Sequence, residues 1–159
     1  MDVRHPTVLH PTVRRTWRAR LPVEFSHFVL FDFTGHFSPA SLDPTTDSRW
    51  TGRSGDGGAL FHADDHNLEA DVLVALHDTE PPPDGIEEHS YSGTLRTDTG
   101  SLVLAASTAS PGDITVELPA PGSYRLRAHR LPDLIDTSLG DEARCEQWIV
   151  HLWPDPTTT

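Results

Sequence analysis

The stretch 113–130, DITVELPAPGSYRLRAHR, constrains the fold of this chain more than any other part of it. Apolar and polar residues alternate over 114–118 and again over 124–128, which is the period of two expected for a half-buried β-strand. The letters PAPG between them interrupt a strand, because proline has no N–H to donate and Gly122 adopts a positive φ without strain. We therefore predict a β-hairpin with one apolar face. Its polar face would place acidic residues opposite basic ones: Asp113, Glu117, Arg125 and Arg127.

The rest of the chain repeats short strand-like segments separated by turns. Residues 68–78 are apolar in both phases, which is typical of an interior strand covered on both faces. A second hairpin is predicted around Thr99-Gly100. The fold class is therefore all-β, an antiparallel β-sandwich of about eight short strands with at most short helical turns in its loops. Besides the arms of the first hairpin, the predicted strands are 23–33, 58–62, 68–78, 91–98, 101–107 and 146–153.

In the first of these strands, one phase is predicted to face the core, and it carries His27 among apolar residues. The region 34–58 is rich in Gly, Ser, Pro, Asp and Thr and has no sustained period, so we predict a long loop. The core-facing phase of 23–33 is Val23, Phe25, His27, Val29, Phe31 and Phe33.

The length of 159 residues suits a single domain. Residues 1–22 carry five arginines against one acidic residue, and their two X-Pro steps disfavour a helix, so we predict a basic flexible arm. Residues 23–153 form the predicted sandwich, and 154–159 form a tail. No apolar run reaches the length of a signal peptide or a membrane span, and the single Cys145 is compatible with a reducing compartment, so we expect a cytoplasmic protein.

The net charge of −12 is distributed unevenly, with +4 on residues 1–22 and −16 on the remainder. A strongly acidic body repels nucleic acid and anionic membranes and speeds the encounter with a basic protein. Acidic loops lie side by side if they leave the same end of a sandwich, and they then form a carboxylate patch; separate solvated loops are the alternative. An aromatic side chain would supply the buried anchor of such an interface. The candidate partner-binding residues are Asp64, Asp65, Asp78, Glu80, Asp84, Glu87 and Glu88, with Trp50 or Tyr91 as the anchor.

Catalytic and metal-binding chemistry is poorly represented. His62, His66 and His77 are ligand types suited to zinc, but the first two flank a turn instead of lying on adjacent turns of a helix. There is no Gly-x-Ser-x-Gly elbow, and Cys145 lies in an acidic stretch that would raise the pKa of a thiol. We therefore predict no catalytic residue, no metal site and no cofactor.

The order of features resembles the competence protein J (ComJ) family, small bacterial inhibitors of a DNA-entry nuclease. The resemblance spans about residues 23–153 and consists mostly of strand and turn residues. It implies the fold of that family and, as an expectation, an inhibitory role. No inhibitory residue of the family maps onto this chain. The segments that carry the resemblance are VEFSHFVLF (23–31), GGALF (57–61), DVLVAL (71–76), ITVELP (114–119), PGSYRL (121–126) and QWIV (147–150).

Together these features predict a non-enzymatic acidic protein that binds and masks a basic partner, as a nuclease inhibitor or toxin-immunity protein does. It would bind no nucleic acid directly. Two alternatives remain open. One is a β-sandwich that binds a small ligand or carbohydrate through exposed tryptophans, and the other is a metal-dependent enzyme centred on His62, His66 and His77.

Overall fold

Every regular element that the computed structural model describes is a β-strand. Within the described part of the chain, no helix is long and apolar enough to cross a membrane. The all-β prediction is therefore confirmed. The described residues are 12–23, 27–32, 34, 51–63, 69–83, 90–106, 111–131, 134–135 and 144–156.

Eleven strands are described, more than the eight that were predicted. In chain order they are β1 (Val13–Pro22), β2 (His27–Asp32), β3 (Gly52–Gly55), β4 (Gly58–His62), β5 (Glu69–His77), β6 (Ser90–Thr97), β7 (Ser101–Ala106), β8 (Ile114–Glu117), β9 (Gly122–Arg130), β10 (Leu134–Ile135) and β11 (Arg144–Pro154).

The strands form two sheets that pack as a sandwich. Sheet A has the order β1-β5-β11-β9-β6, with the short β10 also paired to β11, and sheet B has the order β3-β4-β2-β7-β8. All pairs are antiparallel except β5 with β11, which run parallel in the middle of sheet A. The predicted antiparallel sandwich is thus confirmed, with one parallel pair at its centre.

The core between the sheets is built from alternate residues of each strand, as the period of two requires. Trp148 lies at its centre, where its indole meets the ring of Phe28 edge-on at 5.1 Å between centroids and the ring of Phe61 at 5.8 Å. All three rings are fully buried. Strand β5 is buried on both faces, as predicted, because seven of its nine residues are buried and these include side chains of both phases.

Both predicted hairpins are wrong. Strand β8 pairs with β7 in sheet B, whereas β9 pairs with β6 and β11 in sheet A, so the PAPG connection crosses from one sheet to the other. The connection at 98–100 makes the same crossing between β6 and β7. A period of two identifies a strand and its buried face but not its neighbour, and two arms facing one core satisfy it equally well in opposite sheets. The Leu118 N–H donates to the Gly100 carbonyl at 2.8 Å, so the two crossings lie side by side.

A buried carboxylate, Asp32, fixes the 98–100 crossing to the end of β2. Its side chain is 2% exposed and accepts hydrogen bonds from the Thr97 hydroxyl and from the N–H groups of Asp98 at 3.0 Å and Thr99 at 3.2 Å. Thr34 adds its N–H and its hydroxyl, both at 2.9 Å. Burial by itself would raise the pKa of Asp32, but these donors together hold that pKa far below its usual range. The carboxylate therefore acts as a charged link between the two sheets.

Two local predictions in sheet B are also wrong. In β2 the core-facing residues are Phe28, Leu30 and Asp32, whereas His27, Val29 and Phe31 of the predicted core phase are partly exposed. Val23 lies in the core as predicted, and Phe25 and Phe33 lie outside the described residues. Both phases of this strand are apolar, and the polarity of Asp32 does not mark it as a core residue because its burial depends on hydrogen-bond partners from other segments. Strand β3 lies inside the segment that was predicted to be a long loop. The prediction missed this strand because its glycines and Ser54 do not form an apolar alternation.

The predicted flexible arm is integral to sheet A over its second half. Strand β1 pairs antiparallel with β5 along the whole length of both strands, and its Ala19 and Leu21 side chains lie in the core. The sequence of β1 does not indicate that it is part of the sheet, because four of its ten residues are arginines. Their side chains lie on the solvent-exposed face or at the open edge of the sheet. Residues 1–11 lie outside the described residues.

The sandwich is closed on one side by a seam between β3 of sheet B and β6 of sheet A. The Tyr91 hydroxyl lies 2.7 Å from the Ser54 hydroxyl, and the Gly57 N–H donates to the Arg96 carbonyl at 2.8 Å. The ring of Tyr91 packs against the backbone of Gly52, where a Cβ would come within 2.8 Å of the ring. Gly93 has no room for a Cβ either, because the Tyr91 hydroxyl and the Ser54 hydroxyl fill that space.

Gly93→Ala is expected to destabilise the protein by about 1–3 kcal/mol, because the added methyl group overlaps the Tyr91 hydroxyl at this seam. Adding Tyr91→Phe should recover part of the loss, although Tyr91→Phe alone removes a hydrogen bond worth about 1 kcal/mol. Urea denaturation of both single variants and the double variant measures the coupling. Strictly additive losses would contradict the crowding described here.

Candidate partner-binding end of the sandwich

One end of the sandwich, which we call the Glu69 end, collects the termini of four neighbouring strands of sheet A. Glu69 at the start of β5 is in register with Cys145 at the start of β11. Leu131 follows β9 there, with its N–H donated to the Gln147 carbonyl at 2.9 Å, and Ser90 begins β6 opposite His129. Since adjacent strands are about 4.8 Å apart, β5 and β6 are separated by only about 14 Å.

The three acidic segments of the sequence are attached at this end. Residues 64–68 lead into Glu69, residues 84–89 lead into Ser90, and residues 132–143 join β9 to β11. Apart from Leu134 and Ile135 these segments lie outside the described residues, but their points of attachment do not. They contain nine carboxylates and no arginine: Asp64, Asp65, Asp84, Glu87, Glu88, Asp133, Asp136, Asp141 and Glu142.

The described framework itself is close to neutral. It contains eleven acidic residues and ten arginines, a net charge of −1, which leaves −11 of the total of −12 on the remaining residues. The prediction of a strongly acidic folded body is therefore wrong for the framework. Negative charge is instead concentrated in connecting segments, and the largest share of it leaves from the Glu69 end.

Strand β1 explains much of this neutrality, because its arginines are matched by carboxylates on β5. Arg18 binds Asp71 through two hydrogen bonds of 2.9 and 2.5 Å, an arrangement that raises the pKa of Arg18. Arg20 forms an ion pair with Glu69 through its Nε, and Arg14 forms one with Asp78. These arginines of β1 and the carboxylates of Glu69, Asp71 and Asp78 thus neutralise each other along one strand pair.

Two of the predicted partner-binding residues lie away from the Glu69 end. Asp78 follows His77, the last residue of β5, and is nine residues beyond Glu69, so it lies roughly 30 Å from Glu69 along the strand. Glu80 lies over the outer face of sheet A, near Arg127. The structure therefore separates Asp78 and Glu80 from the attachment points of the other acidic candidates.

The two aromatic candidates are also placed differently. Tyr91 is half-buried in the seam between β3 and β6, where its ring and hydroxyl already have partners within the chain. Trp50, like Asp64, Asp65, Asp84, Glu87, Glu88 and His66, lies outside the described residues. These residues remain predictions.

The histidines proposed for a metal centre do not come together. His62 ends β4 at the Glu69 end, whereas His77 ends β5 at the opposite end of the other sheet. Both ring nitrogens of His77 are engaged, Nδ1 with the Thr12 hydroxyl and Nε2 with Nδ1 of His151, each at 2.8 Å. No group of three metal-ligating side chains occurs among the described residues. The structure therefore does not support a metal centre that uses His62 together with His77, and His66 lies outside the described residues.

A groove of about 360 Å³ on the outer face of sheet A was not anticipated from the sequence. Arg127 forms its back wall and donates hydrogen bonds to the Pro81 and Pro82 carbonyls at 3.2 to 3.3 Å. Its guanidinium also lies over the Trp153 ring, 5.3 Å from the centroid. The predicted hairpin paired the arginines of β9 with acidic residues of β8, but β8 and β9 lie in different sheets. The groove is lined by Glu80, Ser92, Gly93, Arg125, Leu126, Arg127 and Trp153.

Comparison with solved structures places this architecture among known folds. The crystal structure of ComJ from Bacillus subtilis, an inhibitor of the DNA-degrading activity of NucA, superposes with a TM-score of 0.62 at 17% identity, over 89% of this chain and 98% of ComJ. This chain has the ComJ fold. The crocagin biosynthetic gene J protein superposes with a TM-score of 0.58 at 17% identity, over 89% of this chain and 99% of that one. No family model and no curated protein matches the sequence.

The resemblance noted in the sequence is thus confirmed for the fold. Two proteins with different roles share this architecture, since ComJ inhibits a nuclease and the other protein is the product of a crocagin biosynthetic gene. Identity of 17% transfers the fold and not the role, because function resides in the side chains of a site.

Proposed function

We propose that this protein is a non-enzymatic inhibitor that binds a basic protein, a nuclease or a nuclease-type toxin, with the Glu69 end of its sandwich. The observation that carries the proposal is the attachment of nine carboxylates, without a single arginine, at one end of a framework whose net charge is −1. A nuclease binds phosphates with basic side chains, and clustered carboxylates present a similar charge. The ComJ fold supports the proposal, since ComJ inhibits NucA.

The proposed mechanism is steering followed by occlusion. Carboxylates concentrated on one side of a molecule orient the approach of a basic partner and raise the association rate, whereas a charge spread evenly would not select a face. The neutral framework then blocks the active-site cleft sterically. Affinity would come mainly from buried apolar contacts near the same end, because exposed ion pairs contribute little to it.

The test compares two triple variants of the full chain with equal change of charge. Asp84→Arg, Glu87→Arg and Glu88→Arg alter the Glu69 end, and Asp56→Arg, Asp98→Arg and Glu117→Arg alter exposed positions at the opposite end. The first variant should lower the association rate with a captured nuclease about 10–100-fold at low salt and flatten its salt dependence. The second should change it much less.

NucA is the first nuclease to assay, followed by other nucleases with basic clefts. Inhibition is read as residual DNA degradation at rising protein concentration, and association rates are read by surface plasmon resonance. Equal losses in both triple variants would mean that net charge alone acts and would refute the role of the Glu69 end. Full nuclease activity at saturating protein across these enzymes would refute inhibition itself.

A further inference from the structure

The groove on the outer face of sheet A combines a free cation with an available anion. Arg125 is exposed, and its guanidinium has no carboxylate partner in the described part of the chain. Arg127 beside it is different, because its side chain is only 14% exposed and its donors are engaged by the Pro81 and Pro82 carbonyls. Of the two guanidinium groups in the groove, Arg125 is therefore the one able to bind a ligand.

Glu80 supplies the opposite charge on the facing wall. Its carboxylate is 63% exposed and lies 3.9 Å from the Arg127 guanidinium, at the limit of an ion pair. It therefore keeps most of its hydrogen-bonding capacity for a cation in the groove. A ligand that carried only a negative charge would be attracted by Arg125 and repelled by Glu80.

The other residues that line the groove are uncharged, and the volume that they enclose limits the size of a ligand. Ser92 is exposed and contributes its hydroxyl, Gly93 contributes only backbone atoms, and the largely buried Leu126 and Trp153 contribute only the small parts of their surface that reach the groove. A volume of about 360 Å³ lies at the lower end of the range for small-molecule sites, roughly 300–1,000 Å³. Arg127 fixes both sides of the groove, since it binds the Glu80–Pro82 segment on one side and lies over Trp153 on the other.

From this arrangement we infer that the groove is a binding site for a small zwitterion of amino-acid size. Its carboxylate binds Arg125, and its ammonium group binds Glu80. Arginine suits the first contact, because its planar guanidinium can donate two parallel hydrogen bonds to a carboxylate. The site is distinct from the proposed partner-binding end, and its test does not depend on nuclease inhibition.

The test uses three probes that share one side chain and differ in their charged groups: L-phenylalanine, N-acetyl-L-phenylalanine, which lacks the ammonium group, and L-phenylalaninamide, which lacks the carboxylate. Each is titrated into the full chain while the indole N–H signal of Trp153 is followed by NMR. Phenylalanine should bind about tenfold more tightly than either analogue, because only phenylalanine makes both charged contacts.

Two variants then assign the contacts. Arg125→Gln should weaken binding of phenylalanine and of the N-acetyl analogue about tenfold and leave the amide unchanged. Glu80→Gln should weaken phenylalanine and the amide and leave the N-acetyl analogue unchanged. Arg15→Gln and Glu117→Gln, which alter exposed residues remote from the groove, are the matched controls and should leave all three affinities unchanged.

Each other outcome overturns the inference. Equal binding of the three probes would show that only the apolar ring is recognised. Equal losses in the controls would show a general effect of charge, and no saturable shift of Trp153 with phenylalanine would show that the groove takes no ligand of this class. Because the comparison of the three probes uses the unmutated protein, the inference can fail even if a variant does not fold.

Discussion

Removing residues 1–22 is expected to unfold the protein, whereas removing residues 1–11 should leave it folded. The first deletion takes away the whole of β1, including Ala19 and Leu21 in the core, and exposes the edge of β5. Burial of these side chains, the strand-pair hydrogen bonds and the Arg18–Asp71 pair together contribute about 5 kcal/mol or more, comparable with the total stability of a domain. Circular dichroism and urea denaturation of the two truncated proteins measure the difference.

The exposed edge of β5 adds a second consequence. Strand β5 carries apolar residues in both phases, so without β1 it would present a long unpaired edge to other chains. We therefore expect the 23–159 protein to aggregate as well as unfold, which size-exclusion chromatography would detect. A monomeric, cooperatively folded 23–159 protein would show that residues 1–22 are a dispensable arm after all.

Asp32→Ala is expected to cost about 3 kcal/mol or more of unfolding free energy. The substitution leaves the Thr97 hydroxyl and the N–H groups of Asp98 and Thr99 without their acceptor, and these groups are partly or fully buried. Asp98→Ala is the matched control, because its side chain is 81% exposed while its N–H still donates to Asp32. The control should change stability by about 0.5 kcal/mol or less.

The same carboxylate makes stability depend on pH. Because the folded state holds the pKa of Asp32 far below its ordinary value of 3.8, the stabilisation is complete above that value and is lost as the pH falls below it. Urea midpoints measured from pH 7 down to about pH 2 should therefore fall more steeply for the unmodified protein than for Asp32→Asn, which cannot titrate there. Parallel curves would mean that other carboxylates account for the acid sensitivity.

The sequence predicts the class of fold and most buried faces, because alternation reports directly which side of a strand meets the core. It fails on strand partners. Strands β8 and β9 are joined by the same turn residues whether they form a hairpin or cross between sheets. Only the packing of Tyr124, Val116 and their neighbours decides between the two. It also fails on β2, where the buried residue Asp32 has the polarity of a surface residue.

The candidate site was partly accessible from the sequence. The three acidic segments could be read directly, but their attachment at one end depends on the strand order, which no local pattern encodes. The groove could not be found, since it depends on Arg125 and Glu80 approaching from β9 and from the connection that follows β5. The neutral framework was hidden for a similar reason, because the arginines of β1 and the carboxylates of β5 are about 50 residues apart in the chain.

The position of β11 within sheet A has a consequence for synthesis of the protein. It is the last of the eleven strands in the sequence, yet it lies in the middle of sheet A, with β5 on one side and β9 on the other. While the chain emerges from the ribosome, β1 and β5 can pair with each other, and so can β6 and β9, but the two pairs have nothing to join them. Sheet A therefore closes only after translation has passed residue 154, and until then two unpaired strand edges are open to chaperones or to other nascent chains.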